Sequence, residues 1–294
     1  MKNFFLLIAL LLSLSALCVP SGMNYDTLPN ELSIMTYNIK FLPRGAFYIH
    51  HHPVVRARLI PAQLMKEAPD VIVFEEAFDG YADRVLRRKL KPMYPYCAGW
   101  KNRKVISYKR AGGVLMFSKY PMKEIESITY SKCKGIDCIG HKGSLLVEVE
   151  HPKQKFQLLG THMQAGGGNE IKKSQHEEAG ALLKRHEETG VPQFAAGDFN
   201  THKVDTVLYP HMLKAMCCED GEICTELKFT TDHLLNDMDS YNPNRRGVID
   251  FVLFKGNGFQ PKQTTRSVFA FEQKWNKKHK SLSDHNAVVL RMKL

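Results

Sequence analysis

The sequence predicts a single α/β domain, and three observations carry that prediction. Short runs of period-two apolar patterning alternate along the chain with longer runs of helical spacing. Composition is even, with no internal repeat, low-complexity tract or linker-like stretch. Removing an expected leader, Met1–Cys18, from 294 residues leaves 276, within the range of one large domain over 19–294.

The leader is expected because Phe4 to Leu17 is a 14-residue apolar stretch behind Lys2, shorter than the ~20 residues that span a bilayer. Ala16 and Cys18 suit the small positions before a cut, with a cut after Gly22 as the alternative; bulky Leu17 argues against a lipid anchor on Cys18. The mature chain is therefore read as soluble and secreted. Its formal charge of +11 falls to +10 with the loss of Lys2, which draws it toward anionic polymers or membrane surfaces without separating the two. Cys97, Cys133, Cys138, Cys217, Cys218 and Cys224 remain, an even set that in an exported chain reads as disulfides. At least one bridge is expected to involve Cys217, Cys218 or Cys224. Zinc is the competing reading, and Cys133 and Cys138 lack a second pair or a histidine cluster nearby.

The first strand is predicted over Leu32 to Asn38, with Leu32, Ile34 and Thr36 on one face. Helical spacing follows from Val54 to Lys66, where Pro61 marks a kink or a fresh start. Asp70 to Glu76 reads as a buried strand ending in two acids that alternation sends to opposite sides, one to a pocket and one to a solvated rim. A basic amphipathic helix spans Tyr81 to Leu90. Strands are predicted at Gly113 to Ser118, Ile125 to Tyr130, Ser144 to Val149 and Phe156 to Thr161, then a helix from Asn169 to Glu188, whose His176 and His186 read as packing or surface residues. Pro192 to Ala196 is a buried strand, with Gly197 as the turn that leaves Asp198 and Asn200 on one spot. Val204 to Leu213 is a short helix, followed by a cysteine-rich loop. The last strands are Val248 to Phe254, one around Thr265 to Phe271, and Asn286 to Met292.

Asn38, Glu76, His162, Asp198, Asn200, Asp250 and Asp284-His285 thus fall at or beside strands across the whole mature chain. One such residue at a strand end is commonplace; so many suggest one site assembled from several strands. Oxygen ligands from Glu76 and Asn38 suit a hard divalent ion. His285, with an ordinary pKa of ~6.5, is the candidate general base.

In order, Thr36-Tyr37-Asn38, Phe74-Glu75-Glu76, Gly160-Thr161-His162, Gly197-Asp198-Phe199-Asn200, Ile249-Asp250-Phe251-Val252 and Ser283-Asp284-His285 resemble the endonuclease/exonuclease/phosphatase superfamily over about residues 32 to 294. Between those motifs, Glu76-Ala77-Phe78-Asp79, Tyr94-Pro95-Tyr96, Gly112 to Pro121, His141-Lys142-Gly143 and Gly160 to Ala165 are similar to the secreted sphingomyelinase C, or neutral sphingomyelinase, type.

The resemblance implies a four-layer α/β sandwich of two mainly antiparallel sheets flanked by helices. It also implies a divalent cation, usually Mg²⁺, and hydrolysis of sphingomyelin to ceramide and phosphocholine by a peripheral membrane enzyme. It assigns Glu76 and Asn38 to the metal, Asp250 to orienting His285, and Asp284 to a place near the metal. His162 would stabilise phosphoryl oxygens or help the leaving group, Asp198 would align water, and Asn200 would bond the phosphate. The assignment with Asp198 as base and His285 as phosphate clamp stays open, as does head-group contact by Lys142. Two features depart from the family: Glu75 precedes the second-motif acid where relatives often carry Gln or Asn, and the segment Phe269 to Trp275 does not match the membrane-inserting aromatic hairpin of some relatives. Phe269, Phe271 and Trp275 read as interfacial residues or, for the two phenylalanines, as a buried strand.

Competing activities share the same catalytic set: a DNase-type nuclease, though no aromatic-interleaved basic cluster is present, or an inositol-phosphate phosphatase. No protein partner is predicted.

Overall fold

The computed structural model describes residues 29–43, 51–99, 113–238, 242 and 244–294; the expected leader Met1–Cys18, His50 and Gly112 lie outside the described residues. The six-stranded sheet contains β1 (Glu31–Phe41), β2 (Val71–Ala77), β3 (Tyr96–Ala98), β4 (Leu115–Ser118), β12 (Gln263–Phe269) and β13 (Ala287–Lys293), in the order β12-β13-β1-β2-β4-β3. The five-stranded sheet runs β11-β8-β7-β6-β5, from β5 (Met122–Thr129), β6 (Gly143–Val149), β7 (Phe156–His162), β8 (Gln193–Asp198) and β11 (Asp250–Lys255). A small ribbon pairs β9 (Thr231–Asp232) with β10 (Arg246–Gly247). Among the described strands, β1/β2 and β7/β8 pair in parallel and the other pairs are antiparallel. Each parallel pair is a β-α-β crossover, through α1 (Pro53–Glu67) and α3 (Asn169–Arg185).

Three cores separate four layers. Leu32, Ile34, Val71 and Val73 of one sheet meet Leu158, Phe194, Ala196 and Val252 of the other. Tyr37 and Phe74 turn outward onto Ile60 and Leu64 of α1 and Leu86 of α2 (Gly80–Leu90). On the far side Leu146, Leu159 and Ala195 pack on Leu182 of α3 and on Met212 and Met216 of α4 (Leu208–Met216). The two-residue period of the central strands β1, β2, β7 and β8 feeds two cores at once.

Several local expectations change. Pro61 lies inside a continuous α1. Gly197 is not the turn: it stays in β8, and a Cβ there would sit 1.9 Å from Thr161 O, so glycine is required by the close approach of β7. The turn falls at Asn200, whose φ of 49° its short polar side chain tolerates. Glu75 is not a rim charge. It faces between the sheets with Val71 and Val73, is fully buried, and accepts from Thr36 Oγ1 at 2.6 Å. Phe271 is buried in the outer core and presents no interfacial aromatic, while half-buried Trp275 donates through Nε1 to Ser281 O at 2.8 Å and stacks its ring on His279.

The cysteine expectation is also corrected. The bridge joins Cys133 to Cys138, and Cys97, Cys217, Cys218 and Cys224 are free. Cys217 and Cys218 point opposite ways where α4 ends in a left-handed residue: Cys218 enters the core and Cys217 faces solvent. Among the described residues no helix is long and apolar enough to cross a membrane.

His176 is a packing residue, fully buried on α3, with Nε2 3.1 Å from Thr201 Oγ1 and Nδ1 3.3 Å from His211 Nδ1. Burial, then the charges of His211 and Lys172, press its pKa down to about 3. The folded state therefore keeps it neutral while the unfolded chain takes up a proton below ~6.5, so its stabilising contribution is full above that pH and is lost as pH falls toward 3. The stability advantage of wild type over His176→Gln is expected to shrink by ~2 kcal/mol between pH 6.5 and 5, read from urea unfolding at each pH.

Candidate active site

The site forms where the strand rows facing the opposite sheet stop being apolar. On β8 the row runs Phe194, Ala196, Asp198; on β7, Leu158, Gly160, His162; on β11, read backward, Phe254, Val252, Asp250. Register places His162 and Asp250 on either side of Asp198. Across the sandwich, β1 ends its row in Thr36 and Asn38. Gly160 lets the sheets come together there, since a Cβ would lie 2.3 Å from Met116 Cε.

Glu76 reaches the site by breaking alternation. Its φ of 58° turns a side chain that should follow Phe74 outward back toward Asn38, and Lys40, at φ 47°, bulges the neighbouring strand. Gly113 abuts this turn: a Cβ would stand 2.9 Å from Glu76 Cα. Both acids at the end of β2 thus approach the centre, Glu75 from beneath and Glu76 from the rim, where its side chain is 20% exposed.

Asn38 Nδ2 donates to Glu76 Oε1 at 3.2 Å and to Asp198 Oδ2 at 3.1 Å. Asp198 Oδ1 accepts from Asn200 N at 2.9 Å, and Asn200 Nδ2 donates to Met163 O at 3.0 Å. His285 Nδ1 lies 3.0 Å from both Asp250 oxygens, and its Nε2 lies 3.9 Å from Asp198 Oδ2. Asp284 pairs with Lys40 Nζ at 2.5 Å. Lys142, buried and paired with Asp137 at 3.2 Å, donates to His162 Nε2 at 2.9 Å; an ammonium only donates, so that nitrogen accepts. Asn38, Glu76, Lys142, His162, Asp198, Asn200, Asp250, Asp284 and His285 therefore lie together at one end of the two sheets.

Supporting residues carry no motif. Asp137 sits within the loop closed by Cys133–Cys138, and its other oxygen accepts from Ala165 N at 3.0 Å. Thr230 Oγ1 accepts from Ile249 N at 3.0 Å and Asp250 N at 3.3 Å. Arg56, fully buried, donates to the carbonyls of Ile39, Lys40, His51 and Leu282 at 2.6 to 2.8 Å, clamping the bulge of β1 to the segment before Asp284. Its only sequence signal is an arginine on the apolar face of α1. Arg56→Met strands these carbonyls and is expected to cost at least ~3 kcal/mol in urea unfolding, with Arg56→Lys recovering only part because one ammonium cannot span the fork.

The electrostatics are those of crowded carboxylates. Burial, then the charge of Asp250, pushes Asp198 up to about 7. Burial and Asp284 raise Glu76, and burial raises Glu75 well above the carboxylate range. Burial disfavours the charged form of Asp284, yet His285 and Lys40 hold it at about 2. Burial likewise opposes the His285 imidazolium, but Asp250 outweighs it and sets the ring well above the ordinary histidine range. A divalent cation fits this donor set: Glu76 and Asp198 offer hard oxygens, Asn38 would add a third by turning over its amide, whose Nδ2 now faces both carboxylates while Oδ1 accepts from Lys40 N at 3.1 Å, and added positive charge offsets the burial and mutual repulsion that raise Glu76 and Asp198. Ligating atoms of Asp198, Asp250 and His285 also lie within 4.8 Å of one another, although Nδ1 of that histidine is already engaged by Asp250.

Known proteins are similar to this chain in sequence and fold. The chain is 28% identical over 264 residues to a phospholipase C of Staphylococcus aureus, covering 81% of this chain and 78% of that one. It is 23% identical over 296 residues to a sphingomyelinase C of Listeria ivanovii, covering 90% and 87%. The crystal structure of beta toxin from Staphylococcus aureus superposes with a TM-score of 0.78 at 25% identity, covering 88% of this chain and 99% of that one. A variant of that toxin, with bound magnesium ions, shares the fold at a TM-score of 0.77 and 24% identity, with the same coverage. The family model for the endonuclease/exonuclease/phosphatase family matches residues 35–285, from β1 through His285, and the chain belongs to that family.

Proposed function

We propose that this chain is an exported, Mg²⁺-dependent phosphodiesterase that hydrolyses sphingomyelin to ceramide and phosphocholine at a membrane surface. The observation that carries the reading is that segments typical of sphingomyelinases touch the reactive centre. Gly113 packs on Glu76, and Lys142 bonds His162. Relatives named sphingomyelinase C and phospholipase C support the same substrate class.

Glu76 and Asn38 would hold the cation, with Asp198 beside them. A bound Mg²⁺ supplies charge neutralisation and Lewis acidity toward a phosphoryl oxygen. His285 takes the proton of the attacking water at Nε2, while Asp250 holds Nδ1–H and fixes the tautomer. Asp198 is the weaker base because both its oxygens accept hydrogen bonds, so it aligns the water. Water oxygen bonds to phosphorus as the bond from phosphorus to the ceramide oxygen breaks, and the released ceramide oxygen takes a proton from solvent. Lys142 would supply positive charge where negative charge gathers, held there by His162 Nε2, and Asn200 Nδ2 would bond the phosphate by leaving Met163 O. Residues 19–294 form the catalytic domain and Met1–Cys18 the leader, checked by N-terminal sequencing of exported protein.

The test offers purified protein and Mg²⁺ to sphingomyelin vesicles, plasmid DNA and inositol phosphates side by side. Phosphocholine release from sphingomyelin, abolished by chelation, is the expected result. Plasmid nicking with sphingomyelin untouched would replace this reading with the nuclease.

A further inference from the structure

Of ten exposed large apolar side chains among the described residues, six stand on three loops at the catalytic end of the sheets. Ile136 and Ile139 are 68% and 56% exposed, Val204 and Val207 86% and 52%, Leu234 and Leu235 37% and 58%. The loops leave from one end because Ser144 pairs with Thr161, His162 with Asp198, and Asp198 with Asp250. Each is tied to the reactive centre. Ile136 and Ile139 flank Asp137, the partner of Lys142. Val204 and Val207 follow Asn200. Leu234 and Leu235 follow Thr231, which bridges to His285, and Asn236 Nδ2 donates to Ser283 O at 2.7 Å.

Aliphatic side chains raised into water beside a catalytic centre have no chemistry to perform there; their use is burial in something apolar. Exposed cations accompany them: Lys132 and Lys134 on the first loop, and Lys274, Lys277 and Lys278 on the segment between β12 and β13, which opens at the same end. Aliphatic points among lysines suit the boundary between acyl chains and anionic head groups. They do not suit single-stranded nucleic acid, which is gripped by aromatic stacking.

We propose that the catalytic end is a bilayer-docking face on which Ile136, Ile139, Val204, Val207, Leu234 and Leu235 enter the lipid interface while the lysines engage head groups, setting the reactive centre at head-group depth. The inference rests on the reading of the substrate as a membrane lipid. It replaces the aromatic segment near Trp275 with aliphatic residues on three separate loops.

The experiment sediments the full chain with vesicles of phosphatidylcholine and phosphatidylserine that contain no sphingomyelin, so docking is read without hydrolysis. Wild type is expected to co-sediment, with part of the binding surviving high salt because apolar insertion is not screened. Ile136→Ser with Ile139→Ser, Val204→Ser with Val207→Ser, and Leu234→Ser with Leu235→Ser should each lower partitioning ~10-fold at unchanged thermal midpoint. Met65→Ser, an exposed position near the opposite end of α1, should leave it unchanged. Failure of wild type to bind, or binding by all three double variants as tight as that of wild type, overturns the docking face. Vesicle binding without turnover of sphingomyelin in a parallel assay would instead sink the proposed activity and leave the face standing.

Discussion

His285→Ala is expected to lower sphingomyelin turnover by at least ~10²-fold, the usual cost of a lost general base. The imidazole is held at Nδ1 by both oxygens of Asp250, 3.0 Å away, leaving Nε2 toward the centre. Alanine removes the proton acceptor and leaves the Asp250 carboxylate buried without its partner. Asp250→Asn separates the two consequences. Without the carboxylate the charged imidazole loses its main support, so the His285 pKa falls and the neutral, basic form appears at lower pH. The acidic limb of the kcat profile should move down in pH while the plateau drops, since the anchor of the tautomer is weakened. An NMR titration of His285 in metal-free protein reads the same shift without activity. Wild-type turnover in His285→Ala would return the role of base to Asp198.

Glu76→Gln should abolish Mg²⁺-dependent hydrolysis, a loss of at least ~10²-fold if the bound ion contributes several kcal/mol to the transition state. Glutamine keeps the volume, and its side-chain oxygen can still accept from Asn38 Nδ2, so folding is retained. Burial and Asp284 disfavour the Glu76 charge, so metal-free Glu76→Gln should unfold at a slightly higher temperature than metal-free wild type. Wild type should gain stability with added Mg²⁺ by mass action and the variant should not. Equal stabilisation of both by Mg²⁺, or full wild-type activity in excess chelator, would remove Glu76 from the metal site.

The strands were legible because period-two patterning is local: β1, β2, β7, β8, β11 and β13 lie within a few residues of their predicted bounds. The short β3 and the β9/β10 ribbon were missed, being too brief for any period to show. The cysteines misled because an even count says nothing about distance, and Cys217 and Cys218 diverge at the end of α4.

By itself the sequence determined which side chains stand at strand ends, and so the chemistry available to the site, because alternation and strand length are set by neighbours in the chain. Tertiary structure alone decided how those side chains meet. Alternation sent one of Glu75 and Glu76 away from the pocket, yet a left-handed residue returns Glu76 to the rim while Glu75 is buried beneath it. Lys40 finds Asp284 across 244 positions, and Arg56 finds Leu282 across 226. Such pairings form only after two sheets have packed, when buried charges and carbonyls must find partners wherever the fold has brought them.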